Sequence, residues 1–243
     1  MARTLPHGQD LVESGPPGTA EGAPRADRGL RLLEQLDQAA KRALDLVLAG
    51  LTLLLLGPAL IAIAVAIRLT SPGPALFQQV RVGYGQSAFV ILKFRTMYQD
   101  NDDTDHRAYV AAMLAGAMAG ADGGQRIYKL TDDPRVTPLG RLLRKTSLDE
   151  LPQLVNVVRG EMSLVGPRPV LPWEAQLFDT RHRLRFAVKP GITGLWQVSG
   201  RNALTMQQAL DLDVEYVRRR TLALDLMTLA RTIPTVLSTR GAC

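Results

Sequence analysis

Two adjacent carboxylates with basic neighbours are the strongest candidates for chemistry in this sequence. Asp149 and Glu150 lie just before Pro152, and Arg144 and Lys145 precede them. An ionised aspartate is a competent nucleophile toward phosphorus, and covalent carboxylate catalysis is an established enzymatic strategy. A neighbouring carboxylate can bind Mg²⁺, which takes one or two carboxylates and shares its remaining positions with substrate phosphates. The segment therefore suits a phosphoryl-transfer site.

The same segment also fits a purely structural interpretation. Ser147 followed three residues later by Glu150 is the pattern of a capping box, in which both side chains satisfy backbone N–H groups at a helix start. Pro152 weakens this interpretation, since proline is favoured at the first helical position and disfavoured deeper in a helix. If the helix instead begins at Pro152, both carboxylates lie beside its positive end, and Arg144 and Lys145 help to keep them ionised. Spacing alone leaves both interpretations open.

The charge of the chain favours an anionic partner. Its formal net charge is +6 over 243 residues, and the basic excess lies in residues 126–189 rather than in the first forty. Anionic lipid and substrate phosphates both fit such an excess. We expect no nucleic-acid partner, because aromatic residues are only 5% of the chain and no nucleic-acid-binding signature occurs. The single cysteine, Cys243, excludes a cysteine-based metal site, and the three histidines are scattered without metal-ligand spacing, so a bound metal would have oxygen ligands.

A long apolar run near the N-terminus predicts a membrane segment. Residues 46–67 carry no charge, and about 20 apolar residues suffice to span a bilayer. Gly57 and Pro58 interrupt the run near its middle, where proline removes a backbone donor. Basic residues flank both ends, whereas a spanning helix carries its basic excess on one side. We therefore expect a helix–break–helix hairpin that enters and leaves by one face, with a proline-containing spanning helix as the alternative. The flanking basic residues are Lys41, Arg42, Arg68 and Arg81.

The remaining composition divides the chain into three parts. Residues 1–28 are rich in Gly, Pro, Ala and charge, and predict a disordered tail without the apolar region of a signal peptide. Residues 29–70 predict an amphipathic and re-entrant membrane helix. Residues 71–243 predict a cytoplasmic catalytic domain.

Within the catalytic part, local patterns predict several elements. Residues 75–82 and 88–94 have strand character and are separated by glycines. Residues 99–126 predict a helix between two loops, without evident chemistry. Residues 204–238 return to helical spacing of apolar positions.

Five blocks, in order, resemble those of the bacterial sugar transferases, the monotopic polyprenyl-phosphate phosphoglycosyl transferases. The segment 144–154, around the two carboxylates, resembles the family signature, and the whole likeness covers about residues 38–243. The last block is typical of members that transfer hexose phosphates. The blocks are residues 93–97, 133–137, 144–154, 160–169 and 189–201.

The resemblance implies a fold, a reaction and a location. The fold is α/β: a monotopic membrane protein with an N-terminal re-entrant helix hairpin, a small sheet and interfacial amphipathic helices. The enzyme is a phosphotransferase that moves a sugar-1-phosphate from a UDP-sugar to polyprenyl (undecaprenyl) phosphate and releases UMP. The reaction is the first membrane step of exopolysaccharide or other glycoconjugate assembly, and it runs through a covalent phosphosugar-aspartyl intermediate. It takes place on the cytoplasmic face of the bacterial inner membrane.

The resemblance also implies roles for individual residues. Asp149 is the nucleophile, and Glu150 binds Mg²⁺, with Mn²⁺ as a substitute, and assists proton handling. Gly57 and Pro58 form the break of the hairpin. The residues expected to contact substrate phosphates are Lys93, Arg95, Arg144 and Arg168.

Other functions are weighed against this one. The runner-up is a non-catalytic membrane-anchored scaffold or regulator of polysaccharide assembly on the same fold, and the intact Asp149–Glu150 pair speaks against it. A basic membrane-bound nucleic-acid protein would show steeply salt-dependent binding. The sequence leaves open whether glucose, galactose or an acetamido sugar is transferred, which polysaccharide is made, and whether the chain forms a homo-oligomer.

Overall fold

The computed structural model describes residues 25–98, 133–200 and 204–237. The chain divides into two compact units, residues 1–36 and 37–243, and the candidate site lies in the second. The predicted helix in residues 99–126 and most of the predicted N-terminal tail lie outside the described residues.

Helix α1 (Arg25–Thr70) is the long apolar segment. From Gln35 onward it is long and apolar enough to cross a membrane. Helical conformation continues through Gly57 and Pro58, although the proline cannot donate the usual hydrogen bond to the preceding turn. Length and composition therefore confirm the apolar N-terminal helix as a candidate membrane segment. The predicted hairpin is not observed, since the helix continues through its expected break.

Strands β1 (Leu76–Val82) and β2 (Ala88–Phe94) form an antiparallel hairpin. Gly83 donates its backbone N–H to the Ser87 carbonyl at 2.7 Å. Gly85, within this turn, has a φ of 60°, a value that favours glycine. Both predicted strands are confirmed.

Short helices and a second small sheet complete the catalytic unit. Strands β3 (Ser163–Val165) and β4 (Gly191–Thr193) pair in parallel. The predicted helical region 204–238 forms two helices, because the backbone at Arg220 leaves helical angles. The helices are α2 (Pro138–Lys145), α3 (Gln153–Arg159), α4 (Pro172–Gln176), α5 (Leu195–Val198), α6 (Met206–Arg219) and α7 (Leu222–Leu237). The mixed helix and small-sheet architecture is as expected.

Both flanks of the exposed part of α1 pack into the catalytic unit. On the N-terminal side, Ala49 is fully buried in the same apolar cluster as Val157 and Tyr216. On the C-terminal side, Ile67 is buried against Phe94 of β2 and Leu143 of α2. Burial of these side chains ties the two ends of the apolar segment to one folded body.

Polar contacts reinforce the N-terminal flank. The Arg42 guanidinium donates to the carbonyls of Val157 at 2.6 Å and Val158 at 3.0 Å. Asp45 accepts from the Leu164 backbone N–H at 3.1 Å. Arg42 was interpreted from the sequence as a basic membrane flank, and the structure shows that it docks α1 onto the protein itself. Its charge is thus engaged by backbone carbonyls at the end of α3, where cations are favourable.

Candidate active site

Asp149 and Glu150 lie in a single 3₁₀ turn, Leu148–Glu150. Ser147 immediately before this turn has φ 56° and ψ 17°, a left-handed conformation that is uncommon for a residue other than glycine. Its side chain makes no capping hydrogen bond. The capping-box interpretation is therefore wrong. Helix α3 begins at Gln153 with Pro152 as its N-cap, which agrees with the alternative in which the helix starts after the carboxylates.

Two cationic side chains that are distant in sequence contact Glu150. Its Oε1 accepts from the Lys93 ammonium at 2.9 Å and lies 3.4 Å from Nη1 of Arg168. The Glu150 side chain is 20% exposed, that of Lys93 17% and that of Arg168 34%, so all three are partly shielded from water. Burial lowers the pKa of Lys93, and the Glu150 charge acts in the opposite direction. This Glu150 cluster, defined as Lys93, Glu150 and Arg168, joins three of the sequence-predicted site residues.

Asp149 interacts electrostatically with two cations. Its negative charge raises the pKa of Lys93 and of Arg144, opposing the burial that lowers both. The Arg144 Nε also donates to the Thr96 hydroxyl at 2.9 Å, which fixes the guanidinium. The predicted nucleophile thus lies close enough to two cations for their charges to interact with its own.

Close packing of α2 on the end of β2 sets the position of Arg144. A Cβ atom at Gly140 would overlap the Thr96 carbonyl, so only glycine allows this approach. Thr137 caps α2 by accepting from the Gly140 N–H at 2.9 Å, and its own N–H donates to the Thr96 carbonyl at 3.0 Å.

The turn before α2 is held by an ion pair. The guanidinium of Arg135 holds Asp133 in this turn and lowers the pKa of that carboxyl. The predicted turn at residues 133–137 therefore serves to place α2.

A buried amide couples the carboxylate turn to Lys93. Asn156 on α3 is fully buried, accepts from the Leu92 N–H at 3.1 Å and donates to the Val90 carbonyl at 2.7 Å. It also donates to Glu161 at 2.7 Å. The helix that follows the carboxylates is thereby fixed to the strand that carries Lys93. Sequence reasoning missed Asn156, because nothing in its local sequence distinguishes it from a surface asparagine.

Strand pairing holds the turn that carries Arg168. Gly166 donates to the Thr193 carbonyl and Pro167 accepts from the Gly191 N–H, each at 2.9 Å. A Cβ atom at Gly166 would overlap the Lys189 carbonyl. The small glycine therefore allows the two sequence blocks, 160–169 and 189–201, to meet backbone to backbone.

Two further arginines hold the backbone carbonyls of this turn. Sequence reasoning missed Arg185 and interpreted Arg81 only as a basic flank of the membrane segment. Arg185 donates to the Arg168 carbonyl at 2.6 Å, and its charge is paired with Asp213 at 2.6 Å. Arg81 donates to the Pro169 carbonyl at 3.4 Å. Burying an arginine requires a partner for its charge, and Asp213 supplies it for Arg185. Arg185 and Arg81 thus hold the backbone at Arg168 and Pro169 in place.

Arg95 is placed apart from the Glu150 cluster. Its Nη2 donates to the backbone oxygen and to the hydroxyl of Ser71, both at 2.7 Å, and the residue is only 6% exposed. This contact secures the segment that follows α1. Phosphate binding by Arg95 stays a prediction without geometric support, because the strand ends at Phe94 and the side chain is turned toward α1.

The carboxylate pair fits a hard divalent cation. Within residues 25–98, 133–200 and 204–237, no group of three or more His, Cys, Asp or Glu side chains forms a metal-binding cluster. Adjacent carboxylates at Asp149 and Glu150 supply oxygen donors of the type that Mg²⁺ accepts together with substrate phosphates. Such a site would be completed by the substrate.

The arrangement can bind phosphate and attack phosphorus. Cations at Lys93, Arg144 and Arg168 surround the two carboxylates, and such preorganised charges stabilise a transferring phosphoryl group. Nucleophilic attack on phosphorus is within the chemistry of an ionised aspartate such as Asp149.

Comparison with known proteins gives the same family as the resemblance of the sequence blocks. Residues 36–239 match the family described as bacterial sugar transferase. The exopolysaccharide production protein ExoY of Rhizobium meliloti is 39% identical over 203 residues, which cover 84% of this chain and 88% of the relative. The UDP-glucose:undecaprenyl-phosphate glucose-1-phosphate transferase of Caulobacter vibrioides is 42% identical over 210 residues, covering 83% and 71%. The undecaprenyl-phosphate galactose phosphotransferase of Salmonella typhimurium is 36% identical over 211 residues, covering 87% and 43%.

Proposed function

This chain belongs to the bacterial sugar transferase family, and we propose that it transfers a sugar-1-phosphate from a UDP-sugar to polyprenyl phosphate. Relatives similar to it along most of its length are sugar-phosphate transferases that use undecaprenyl phosphate, or a protein of exopolysaccharide production. The product is a polyprenyl diphosphate-sugar, and the second product is UMP. The donor in one relative's name is UDP-glucose, which supports a UDP-sugar here.

The observation that carries the proposal is the Glu150 cluster beside Asp149. Lys93 and Arg168 converge on Glu150 from two separate parts of the fold. A scaffold protein has no need for three partly buried charges held in place by strand pairing and a buried amide. A phosphoryl-transfer enzyme does need them, because its catalysis consists largely of positioning and charge stabilisation.

The proposed reaction has two displacements at the same phosphorus. A carboxylate oxygen of Asp149 attacks the β-phosphorus, and the bond from that phosphorus to the bridging oxygen breaks, so UMP leaves with the bridging oxygen. An oxygen of polyprenyl phosphate then attacks the phosphosugar-aspartyl phosphorus and restores the carboxylate. Lys93, Arg144 and Arg168 bind the phosphate oxygens during both steps.

Release of UMP tests the proposal directly. The purified full chain in detergent, given polyprenyl phosphate and a panel of UDP-sugars, is expected to release UMP with at least one donor. Release should require the lipid acceptor for more than one turnover. A chain that binds membranes but releases no UMP from any donor would be a scaffold instead.

The requirement for a divalent metal is the first property to check in that assay. We propose that Glu150 holds Mg²⁺ together with substrate phosphates, where the cation would neutralise charge on the diphosphate. Excess EDTA is therefore expected to reduce UMP release to background, added Mg²⁺ to restore it, and Mn²⁺ to substitute. A calcium-saturated EDTA sample controls for effects of the chelator itself. Full activity in excess EDTA would refute the metal requirement.

We also propose that α1 enters and leaves the cytoplasmic face of the inner membrane as a re-entrant hairpin bent at Pro58. Support comes from the two flanks, since Ala49 and Ile67 are both buried in the same catalytic unit. Between them, Leu54 is 76% and Leu55 68% exposed, as expected for side chains that face lipid. A straight membrane-spanning helix would separate its ends by about 30 Å of hydrocarbon. Sharp helix kinks occur mainly at proline, at glycine–serine pairs or at π-bulges, so Pro58 is the expected position of the bend.

Cysteine accessibility checks this topology. In a Cys243→Ser background, Leu36→Cys and Gln78→Cys are each expected to react with a membrane-impermeant maleimide only from the cytoplasmic side. Leu54→Cys is the control and should react only after the membrane is dissolved. Labelling of Leu36→Cys or Gln78→Cys from the periplasm would establish a spanning helix.

A further inference from the structure

Three buried side chains from separate helices form a chain of polar contacts. The Tyr216 hydroxyl lies 2.7 Å from Oδ1 of Asp225, and Oδ2 of Asp225 pairs with the Lys41 ammonium at 2.7 Å. Tyr216 is 1% exposed, Asp225 0% and the Lys41 side chain 13%. This buried network, defined as Lys41, Tyr216 and Asp225, connects α6 and α7 with α1, the candidate membrane segment.

A buried pair of opposite charges such as Lys41 and Asp225 adds little stability by itself. The loss of hydration largely cancels the attraction, and apolar residues of similar volume often stabilise a core at least as well. The pair does have a local effect, since burial and the charge of Asp225 raise the pKa of Tyr216. The Tyr216 hydroxyl therefore keeps its proton and stays a hydrogen-bond donor at neutral pH. The network thus maintains a hydrogen-bond donor inside the protein.

This donor reaches the backbone of strand β3. The Tyr216 hydroxyl lies 3.0 Å from the Val165 carbonyl, so its single proton is shared between this carbonyl and Asp225. From α1, Asp45 accepts from the Leu164 N–H at 3.1 Å. Side chains of α6 and α1 therefore hold two neighbouring residues of β3, in addition to the pairing of β3 with β4.

A shift of β3 would be passed on to Arg168. Arg168 lies three residues after Val165, the last residue of the strand, and its Nη1 lies 3.4 Å from Oε1 of Glu150. The short turn between them is bonded to the β4 segment at Gly166 and Pro167, so it moves with the strands. Displacement of a substrate-binding group by about 1 Å can cost ~100-fold in rate. The contacts that fix β3 therefore bear on the phosphate site.

We propose that Tyr216 is a positioning residue for Arg168. With Asp225 and Lys41 it holds β3, and so it sets the position from which the Arg168 guanidinium contacts the transferred phosphate. Because Lys41 and Asp45 belong to α1, the same contacts couple the membrane segment to the phosphate site. The inference rests on the proposed function, in which Arg168 binds the phosphate of the donor.

A double-variant cycle with Arg168 separates positioning from general stability. Tyr216→Phe removes the hydroxyl but keeps the ring, and it is expected to lower kcat for UMP release about tenfold. In the Arg168→Ala background the same change should have no further effect, because the side chain that Tyr216 positions is gone. Thr228→Val is the matched control and should leave kcat unchanged. Thr228 is also fully buried, but its hydroxyl donates within its own helix, to the Leu224 carbonyl at 2.8 Å.

Hydrogen exchange tests the contact with the strand without any sugar donor. Exchange of the backbone amides of residues 163–168 is measured by mass spectrometry on the purified full chain. Tyr216→Phe is expected to raise their exchange rates about tenfold, whereas Thr228→Val should not. Thermal unfolding verifies that each variant folds. Asp45→Ala, which releases the Leu164 N–H on the side of α1, is the second variant if Tyr216→Phe does not fold.

Other outcomes overturn the inference. An equal loss of kcat in the wild-type and Arg168→Ala backgrounds, or an equal rise in exchange in Thr228→Val, would mean that the hydroxyl serves stability alone. Unaltered kcat and exchange in folded Tyr216→Phe would mean that pairing with β4 suffices to hold Arg168. If exchange rises as expected but the wild type releases no UMP from any donor, the proposed function fails. The catalytic role of Tyr216 then fails with it, while its contact with β3 stands.

Discussion

Asp149→Asn is expected to abolish UMP release and product formation while leaving the protein folded. Asparagine preserves the size of the side chain but lacks the anion that must attack phosphorus. The loss should appear in kcat rather than in KM, by about a thousandfold or more, because it removes an interaction that forms only in the transition state. Folding should be maintained, since the carboxylate lies on a partly exposed turn. Steady-state kinetics of the purified variant measure the effect, with Glu215→Gln as the surface control, because Glu215 is 43% exposed and pairs only with Arg219 among the ion pairs of the described residues.

A trapped adduct identifies the nucleophile independently of the variant. Incubation of the wild type with UDP-sugar and no lipid acceptor, followed by digestion, is expected to leave a hexose-phosphate mass increment on the peptide of Asp149. Covalent catalysis also predicts ping-pong kinetics. An increment on Glu150 would reverse the two roles. Sequential kinetics without any adduct would mean that the lipid phosphate attacks the donor directly.

Glu150→Gln is expected to impair turnover by about a hundredfold and to lower stability as well. The structure predicts two consequences, because Glu150 accepts from both Lys93 and Arg168. A neutral glutamine weakens Mg²⁺ binding, so raising Mg²⁺ should restore part of the activity. It also leaves the largely shielded Lys93 ammonium without its hydrogen-bonded carboxylate, at a cost of about 1–3 kcal/mol in the free energy of unfolding. Metal titration of activity and denaturant unfolding measure the two effects separately.

A double variant distinguishes metal binding from charge pairing. Lys93→Met with Glu150→Gln removes both charges, so the free energy of unfolding should return toward the wild-type value while activity stays low. Glu215→Gln is the matched control, since Glu215 pairs with Arg219 on the protein surface and is 43% exposed. If Mg²⁺ restores nothing in the single variant, Glu150 serves only as the structural partner of Lys93 and Arg168.

Local sequence patterns predicted the elements whose stability depends on their own residues. The uncharged run of residues 46–67 predicted the apolar helix, because burial of an apolar stretch in lipid depends on length and composition. The two strands at residues 75–82 and 88–94 were predicted from short apolar segments separated by glycines. The turn that connects them can be predicted locally, because Gly85 needs only its own backbone freedom to form it. The carboxylates at Asp149 and Glu150 were likewise found from their neighbours.

Two local interpretations failed because the competing contacts come from elsewhere in the chain. The pattern of Ser147 and Glu150 fits a capping box, yet Glu150 is drawn to Lys93 and Arg168 and the helix starts after Pro152. Arg42 beside the apolar run fits a lipid-facing cation, yet carbonyls at the end of α3 accept its hydrogen bonds. An ion-pair partner 57 residues away, as Lys93 is from Glu150, or a carbonyl partner 115 residues away, as Val157 is from Arg42, leaves no trace in a local pattern.

The sequence by itself thus determined that the chain has an apolar helix, a strand hairpin and a carboxylate pair in a basic segment. Only the tertiary structure decided which basic residues serve the site. Lys93 and Arg95 look equivalent along the chain, but the first contacts Glu150 and the second contacts Ser71. Nothing in the local sequence singles out Arg185 and Asp213, which form a buried pair that supports the backbone of Arg168. The physical reason is that charge pairing and burial depend on distances across the fold, which residue order does not encode locally.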